Sequence, residues 1–199
     1  MKFLLKLKLK HYSILILFWM ITGALFAQDK IERELRVEEK VVPKEARDWL
    51  YDAFETTKRP KWYQEVFESG YSYEAKFKLK GKFYSVEFDS LGLIQDVEIE
   101  IGFKELPKEV QNGLEDYLLD AYKSSDIKRI QIQYSGKPDQ LEDFFDENSL
   151  EGILTRFEIE FIGPDESGKP ELFEGLFSEK GDLINKRKIV LVPSDNLMF

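Results

Sequence analysis

The chain has no cysteine and only one histidine, His11. Without thiols it can form no disulfide, build no thiolate metal centre and carry no lipid on a leader cysteine. His11 lies in a leader-like segment, so the body of the chain has no imidazole either. Nucleophile–base catalysis of the Ser–His or Cys–His kind is therefore excluded there, as is a zinc site built on nitrogen or sulfur ligands. A serine–lysine pair using Ser124 or Ser178 stays formally open, but no spacing singles one out. Basic excess is lacking as well: 29 Lys and Arg stand against 38 Asp and Glu, a net charge of −9. Phosphate binding needs a basic surface, so nucleic acid is not an expected partner. No metal and no cofactor is expected.

The first residues are set apart from the rest. MKFLLKLKLK carries Lys2, Lys6, Lys8 and Lys10 with no acid, and an apolar run follows from Ser13 to Ala27 before charge returns at Asp29. This is the order of a secretory signal peptide, with cleavage expected after Ala27. The alternative, an uncleaved anchor, is disfavoured because a spanning helix needs about 20 apolar residues. Losing the four leader lysines leaves 25 basic against 38 acidic residues, a net −13. The expected location is periplasmic or secreted, with no stable membrane insertion after cleavage. At 43% hydrophobic and 34% charged residues, the exported part should fold around a core.

Val42-Pro43-Lys44-Glu45-Ala46 is echoed 64 residues later by Leu106-Pro107-Lys108-Glu109-Val110. Each should open a helix with proline in its first turn. Ala46, Trp49, Leu50, Ala53 and Phe54 form one apolar stripe; Val110, Leu114, Tyr117, Leu118 and Ala121 form another. Strands are expected at 61–67, 71–79, 82–88 and 93–101 after the first helix, and at 127–134, 153–162, 171–177 and 183–192 after the second. The Lys80-Gly81 turn places Phe77 opposite Tyr84, Ala75 opposite Val86 and Tyr73 opposite Phe88. A four-residue loop, Asp89-Ser90-Leu91-Gly92, would place Tyr84 opposite Val97. Phe177-Ser178-Glu179-Lys180-Gly181 echoes that turn in the second half. The second half also carries two turn-rich insertions, 135–152 and 163–170. Before the first helix, 31–37 is either a short edge strand or a frayed lead-in. The expected fold class is α+β: two tandem units, each a helix packed on an antiparallel four-stranded meander. The boundaries are 1–27 for the signal peptide, 28–41 for a lead-in segment, 42–104 for the first repeat and 105–199 for the second.

Val42-Pro43, Lys61-Trp62-Tyr63, Tyr73-Glu74-Ala75-Lys76-Phe77 and Tyr84-Ser85-Val86-Glu87-Phe88-Asp89, with Gly92 and Asp96-Val97-Glu98-Ile99, carry a family resemblance. In these segments the chain resembles the PepSY-like, beta-lactamase-inhibitor-like family of exported bacterial proteins. The likeness covers most of 42–101 and extends more weakly over 106–192, where Glu174-Gly175-Leu176 stands in for Ser85-Val86-Glu87. It implies a non-enzymatic envelope protein that binds proteins or peptides, in some members as an inhibitor, with no catalytic residues to transfer.

Carboxylates remain as possible chemistry. Glu98 and Glu100 on one strand could serve a glycosidase, but a solvated polar face explains them more simply. The acids at 139–151 lack the central glycine and alternating spacing of a calcium loop, and read as a solvated acidic loop. Aromatics are the stronger signal, at 14% of the chain. Phe83 falls on the polar face of its strand, and Trp62 and Tyr63 point to opposite faces of theirs, so one of those two should also be exposed. Exposed aromatics on a charged sheet anchor protein partners. Trp62, Tyr63 and Phe83 are therefore the expected partner-binding residues, for an envelope protein or peptide docked on the sheet face. The alternative is a small-ligand carrier or sensor that binds between the two halves.

Overall fold

The computed structural model describes residues 30–67 and 70–191; the expected signal peptide lies outside them. The strands are β1 (Lys30–Glu32), β2 (Glu34–Val37), β3 (Lys61–Phe67), β4 (Gly70–Leu79), β5 (Lys82–Phe88), β6 (Ile94–Glu100), β7 (Asp126–Ser135), β8 (Leu154–Pro164), β9 (Pro170–Phe177) and β10 (Leu183–Leu191). The helices are α1 (Lys44–Ala53), α2 (Lys108–Ala121) and α3 (Pro138–Glu147). No helix among the described residues is long and apolar enough to cross a membrane.

All ten strands form one sheet, in the order β1-β10-β9-β8-β7-β6-β5-β4-β3-β2. Every pairing from β2 through to β10 is antiparallel, and β1 lies parallel on β10. This corrects the expected pair of tandem helix-plus-four-strand units: the molecule is mostly sheet, and the sheet is continuous. The reason lies at β6 and β7. Ile99 pairs with Ile132 and Val97 with Tyr134 on one face, while Glu98 pairs with Gln133 on the other. Both faces continue across this seam without conflict, so two edges that would otherwise bare unpaired backbone groups satisfy each other.

The helices lie on the apolar face. α1 buries Ala46, Leu50 and Ala53 against Trp62, Ala75, Val86, Phe88 and Val97. α2 buries Val110, Leu114 and Leu118 against Ile130, Phe157, Ile159, Phe161 and Phe177. Burying each such aromatic or aliphatic side chain contributes about 1.5–3 kcal/mol. The glycine turns that echo each other in sequence both support a helix. A β-carbon on Gly92 would lie 3.0 Å from the Ala46 nitrogen, and one on Gly181 only 2.5 Å from the Glu109 oxygen. α2 answers with its own glycine: a β-carbon on Gly113 would fall 2.3 Å from the Gly181 oxygen.

The β4–β5 register is the expected one. The β5–β6 register differs: the loop is one residue longer than expected, setting Phe88 against Ile94, and an irregularity at Glu87/Phe88 adds a second residue, so Tyr84 pairs with Ile99 and Val86 with Val97. The shift is two residues, so every side chain keeps its expected face. The insertion at 135–152 is not all loop, because α3 occupies its middle. Pro138 starts the helix, Leu141 and Phe145 join the first core, and Asn148 ends it in the left-handed conformation at φ 59°.

Candidate functional site

Strand alternation puts Glu34, Tyr63, Glu65, Glu74, Lys76, Ser85, Glu87, Asp96 and Glu98 on the face away from the helices, and Gln131, Glu158, Glu160, Glu174 and Arg187 continue it. This polar face is not an open surface. Ser72, Glu74, Ser85, Glu98, Gln131, Glu158 and Glu174 are all buried. The sheet curls around them with the twist of antiparallel strands. Burial disfavours charge on Arg187 of β10, yet its pKa is raised, by Glu174 and Glu158 and also by Glu87 of β5, five strands away along the sheet. β1 and β2 complete the closure. They are separated by Arg33 alone, with β1 paired to β10 and β2 to β3. The segment at 31–37, undecided from sequence, thus joins the two sides of the sheet.

Inside, the polar groups bind one another. Gln131 and Gln133 donate to Glu98 at 2.7 and 3.1 Å, and Ser85 donates to Glu74. Arg187 bonds Glu174 at 2.5 Å, and Arg129 pairs with Glu160. Lys76 reaches Glu34 at 2.7 Å and Glu74 at 2.9 Å. Burial opposes the charge of Lys76, but Glu74 and Glu34 outweigh it and hold its pKa above the usual value. Glu98 is therefore buried and bonded rather than solvated on an outer face. Two groups of three carboxylates result, Glu34/Glu65/Glu74 and Glu87/Asp96/Glu98, each with ligand atoms within 4.8 Å of one another. Lys76 already supplies a cation to the first. In the second, burial and then the charges of Asp96 and Glu98 push the Glu87 carboxyl well above the ordinary range, so it tends to keep its proton.

The three expected anchor residues are not brought together. Trp62 is buried in the first core at 2% exposure, its ring 5.8 Å from that of Phe88. Tyr63 is half-buried on the polar face beneath the Lys76 ammonium, 5.2 Å from its ring centre. Phe83 is 56% exposed, with the Lys78 ammonium 5.0 Å from its ring centre. Tyr63 and Phe83 share a face but pair with Glu74 and Lys78 of β4, about 13 Å apart along an extended strand.

The exposed apolar residues concentrate elsewhere. The connections β3–β4, β5–β6, β7–β8 and β9–β10 all turn at the same end of the sheet, with neighbouring tips about 10 Å apart. On or beside them lie Phe67, Tyr71, Leu91, Leu93, Leu150, Leu154, Leu183 and Ile184, eight of the eleven exposed large apolar residues among those described. The available sequence signal was leucine on both sides of a turn glycine, Leu91-Gly92-Leu93, where polar residues are usual. α3, inserted in the β7–β8 connection, carries Asp139, Glu142, Asp143, Asp146 and Glu147. Burial, and then Asp52, Asp146, Asp139 and Asp143, raise the pKa of Glu142, so the acids of α3 and of the end of α1 crowd one another.

The ≈ 710 Å³ cleft beside β2 is lined by Arg36, Val37, Glu38, Glu39, Pro60, Lys61 and Trp62.

No family model matches the chain, and no curated protein matches it. Solved structures do. A DUF2874 family protein from Bacteroides uniformis superposes with a TM-score of 0.51 at 15% identity, covering 74% of this chain and 89% of its own. A Bacteroides eggerthii protein provisionally assigned to the periplasm gives 0.50 at 14%, covering 74% and 88%. A BLIP-like protein from Bacteroides fragilis gives 0.47 at 19%, covering 74% and 86%. At these identities the first two likenesses show a shared fold and no more. The PepSY side of the sequence resemblance finds no counterpart among these neighbours.

Proposed function

We propose that this chain is an exported, non-enzymatic binding protein that docks a protein partner through the hairpin end of its sheet. The observation that carries this is the gathering of eight exposed apolar residues on that end, beside an acidic helix. The centre of the sheet's polar face is closed by curling, so docking moves from the face to the rim. An apolar surface flanked by a cluster of carboxylates suits a partner whose contact face is apolar and basic. Export is supported by the leader and by the fold shared with a neighbour provisionally assigned to the periplasm. In-cell crosslinking of the tagged chain tests the proposal. An envelope protein with a basic contact face, captured by wild type and by Phe83→Ala but lost with Leu91→Asp/Leu183→Asp, supports rim docking. Loss with Phe83→Ala alone would instead return the site to the sheet's opposite end.

The cleft beside β2 supports a second function, small-ligand carriage, because its volume is that of a small-molecule site. Ligand-dependent thermal stabilisation that Arg36→Ala abolishes would favour it.

A further inference from the structure

Eight strands, β3 to β10, form a continuous antiparallel meander whose two edges are β3 and β10. Both edges are covered by one segment. Residues 30–32 pair with 189–191 of β10, residues 34–37 pair with 62–65 of β3, and the Arg33 carbonyl accepts the Val66 N–H at 3.1 Å. This clasp is lightly held. None of residues 33–37 is buried, whereas each strand from β3 to β10 has at least one buried side chain. Glu34 stands directly opposite Glu65, a like-charge pair that weakens a ladder, relieved by Lys76. The connector to α1 exposes Glu38, Lys40 and Val41 and buries only Val42.

We propose that the slot between β3 and β10 is an exchangeable strand site whose second occupant is residues 30–37 of another copy of this chain. A second copy is the favoured occupant because its segment reproduces every pairing: Leu35 and Val37 on the helix side, Glu34 toward Lys76, and Arg36 opposite Tyr63. Each bond lost in one chain re-forms in the other, so association entropy is the main opposing cost. The connector at 38–43 carries a single 3-10 turn at Glu39–Val41, and unwinding that turn lets the segment leave without unfolding either core. Exchange is independent of rim docking.

The absence of native cysteine makes the test clean. Because Arg33 and Val66 are hydrogen-bonded opposite each other, Glu34 and Glu65 form a non-hydrogen-bonded pair, where β-carbons approach most closely and a disulfide fits. Glu34→Cys and Glu65→Cys are made in separate copies, mixed at high concentration and oxidised. Neither copy can close an internal bridge, so a 34–65 disulfide forms only by exchange or by chance collision. The collision control replaces the second copy by Lys128→Cys, an exposed site on β7. A severalfold excess of the 34–65 heterodimer over the 34–128 heterodimer supports exchange; equal yields overturn it. Arg36→Cys with Tyr63→Cys repeats the test at the next non-hydrogen-bonded pair and keeps it decisive if losing Glu34 unfolds the clasp. Repeating it with Leu91→Asp/Leu183→Asp in both copies should leave the yield unchanged, which separates this result from the fate of the rim.

Discussion

Gly113→Ala sets helix propensity against packing and predicts a sign. In an exposed helix interior, replacing glycine by alanine stabilises by about 1 kcal/mol. At Gly113 the new β-carbon would sit 2.3 Å from the Gly181 oxygen and 2.7 Å from its carbonyl carbon and α-carbon. All three are backbone atoms, so no flexible side-chain end can move aside. The turn that holds them is fixed by bonds from the Gly181 N–H to Ser178 and from the Ser178 N–H to Asp182, each 2.9 Å. α2 must therefore lift off the β9–β10 turn, or the turn must open, and with only backbone atoms to yield the overpacking falls in the upper part of its usual range, about 2–3 kcal/mol. The net expectation is a loss of about 1–2 kcal/mol after the propensity gain. For a chain of this size that lowers Tm by about 2–8 °C in a thermal melt. Asn112→Ala, an exposed neighbour on the same helix, is the control and should melt at or slightly above wild type. If Gly113→Ala also melts at or above wild type, α2 does not rest on the β9–β10 turn as described.

Glu87 has a folded pKa above its unfolded one, so its contribution is fully present below about 4.5 and is lost as pH rises through the raised value. Glu87→Gln should thus melt above wild type at pH 8 and narrow the gap between melts at pH 5 and pH 8; parallel curves would mean that Glu87 is not crowded. Lys76→Met leaves Glu34 and Glu74 facing each other without their shared cation, and should cost about 2 kcal/mol in urea titration, with faster hydrogen exchange at 34–37. Leu141→Ala should cost about 2–5 kcal/mol, because Leu141 is fully buried; a surface-like loss below 0.5 kcal/mol would detach α3 from the core.

Much of the fold was legible because period and turn chemistry agree along this chain. Phe77, Ala75 and Tyr73 alternate toward the helices, Lys80-Gly81 forces a tight hairpin, and Tyr84, Val86 and Phe88 then have one register available. What alternation leaves open is which strand lies beyond each edge. Nothing in Val97 to Ile101 distinguishes an edge strand from one paired to Ile130–Tyr134, so the fused sheet was invisible as a local pattern. Curvature was equally hidden. Glu98 reads as solvated on a flat sheet, and only the curled one buries it, together with Glu74, Glu158 and Glu174. The site suffered for the same reason. Trp62 has the alternation of a residue that faces either way, and α1 decided for the core. The rim leucines belong to turns, where hydrophobic periodicity says nothing.

Closure also explains why so acidic a chain can have a polar interior. A buried carboxylate without a partner would cost several kcal/mol, and the face contains many. Here the cost is spread. Glu98 takes donors from Gln131 and Gln133, Glu74 takes Ser85 and Lys76, Glu174 takes Arg187, and Glu87 is held toward its neutral form. Such a network ties the strands together on this face, because each donor comes from the neighbouring strand or, for Lys76 and Glu74, from two residues along the same one, and Lys76 also reaches across β3 to Glu34. It adds little net stability, since bonded buried polar groups do not out-stabilise apolar packing. The two apolar cores under α1 and α2 must then supply the folding energy, with the polar face supplying shape. Opening the clasp would return water to Glu34, Glu65 and Glu74, and would take from the first core only the half-buried Val37. That separation between where the chain is stable and where it is closed is what lets strand exchange proceed in a folded molecule.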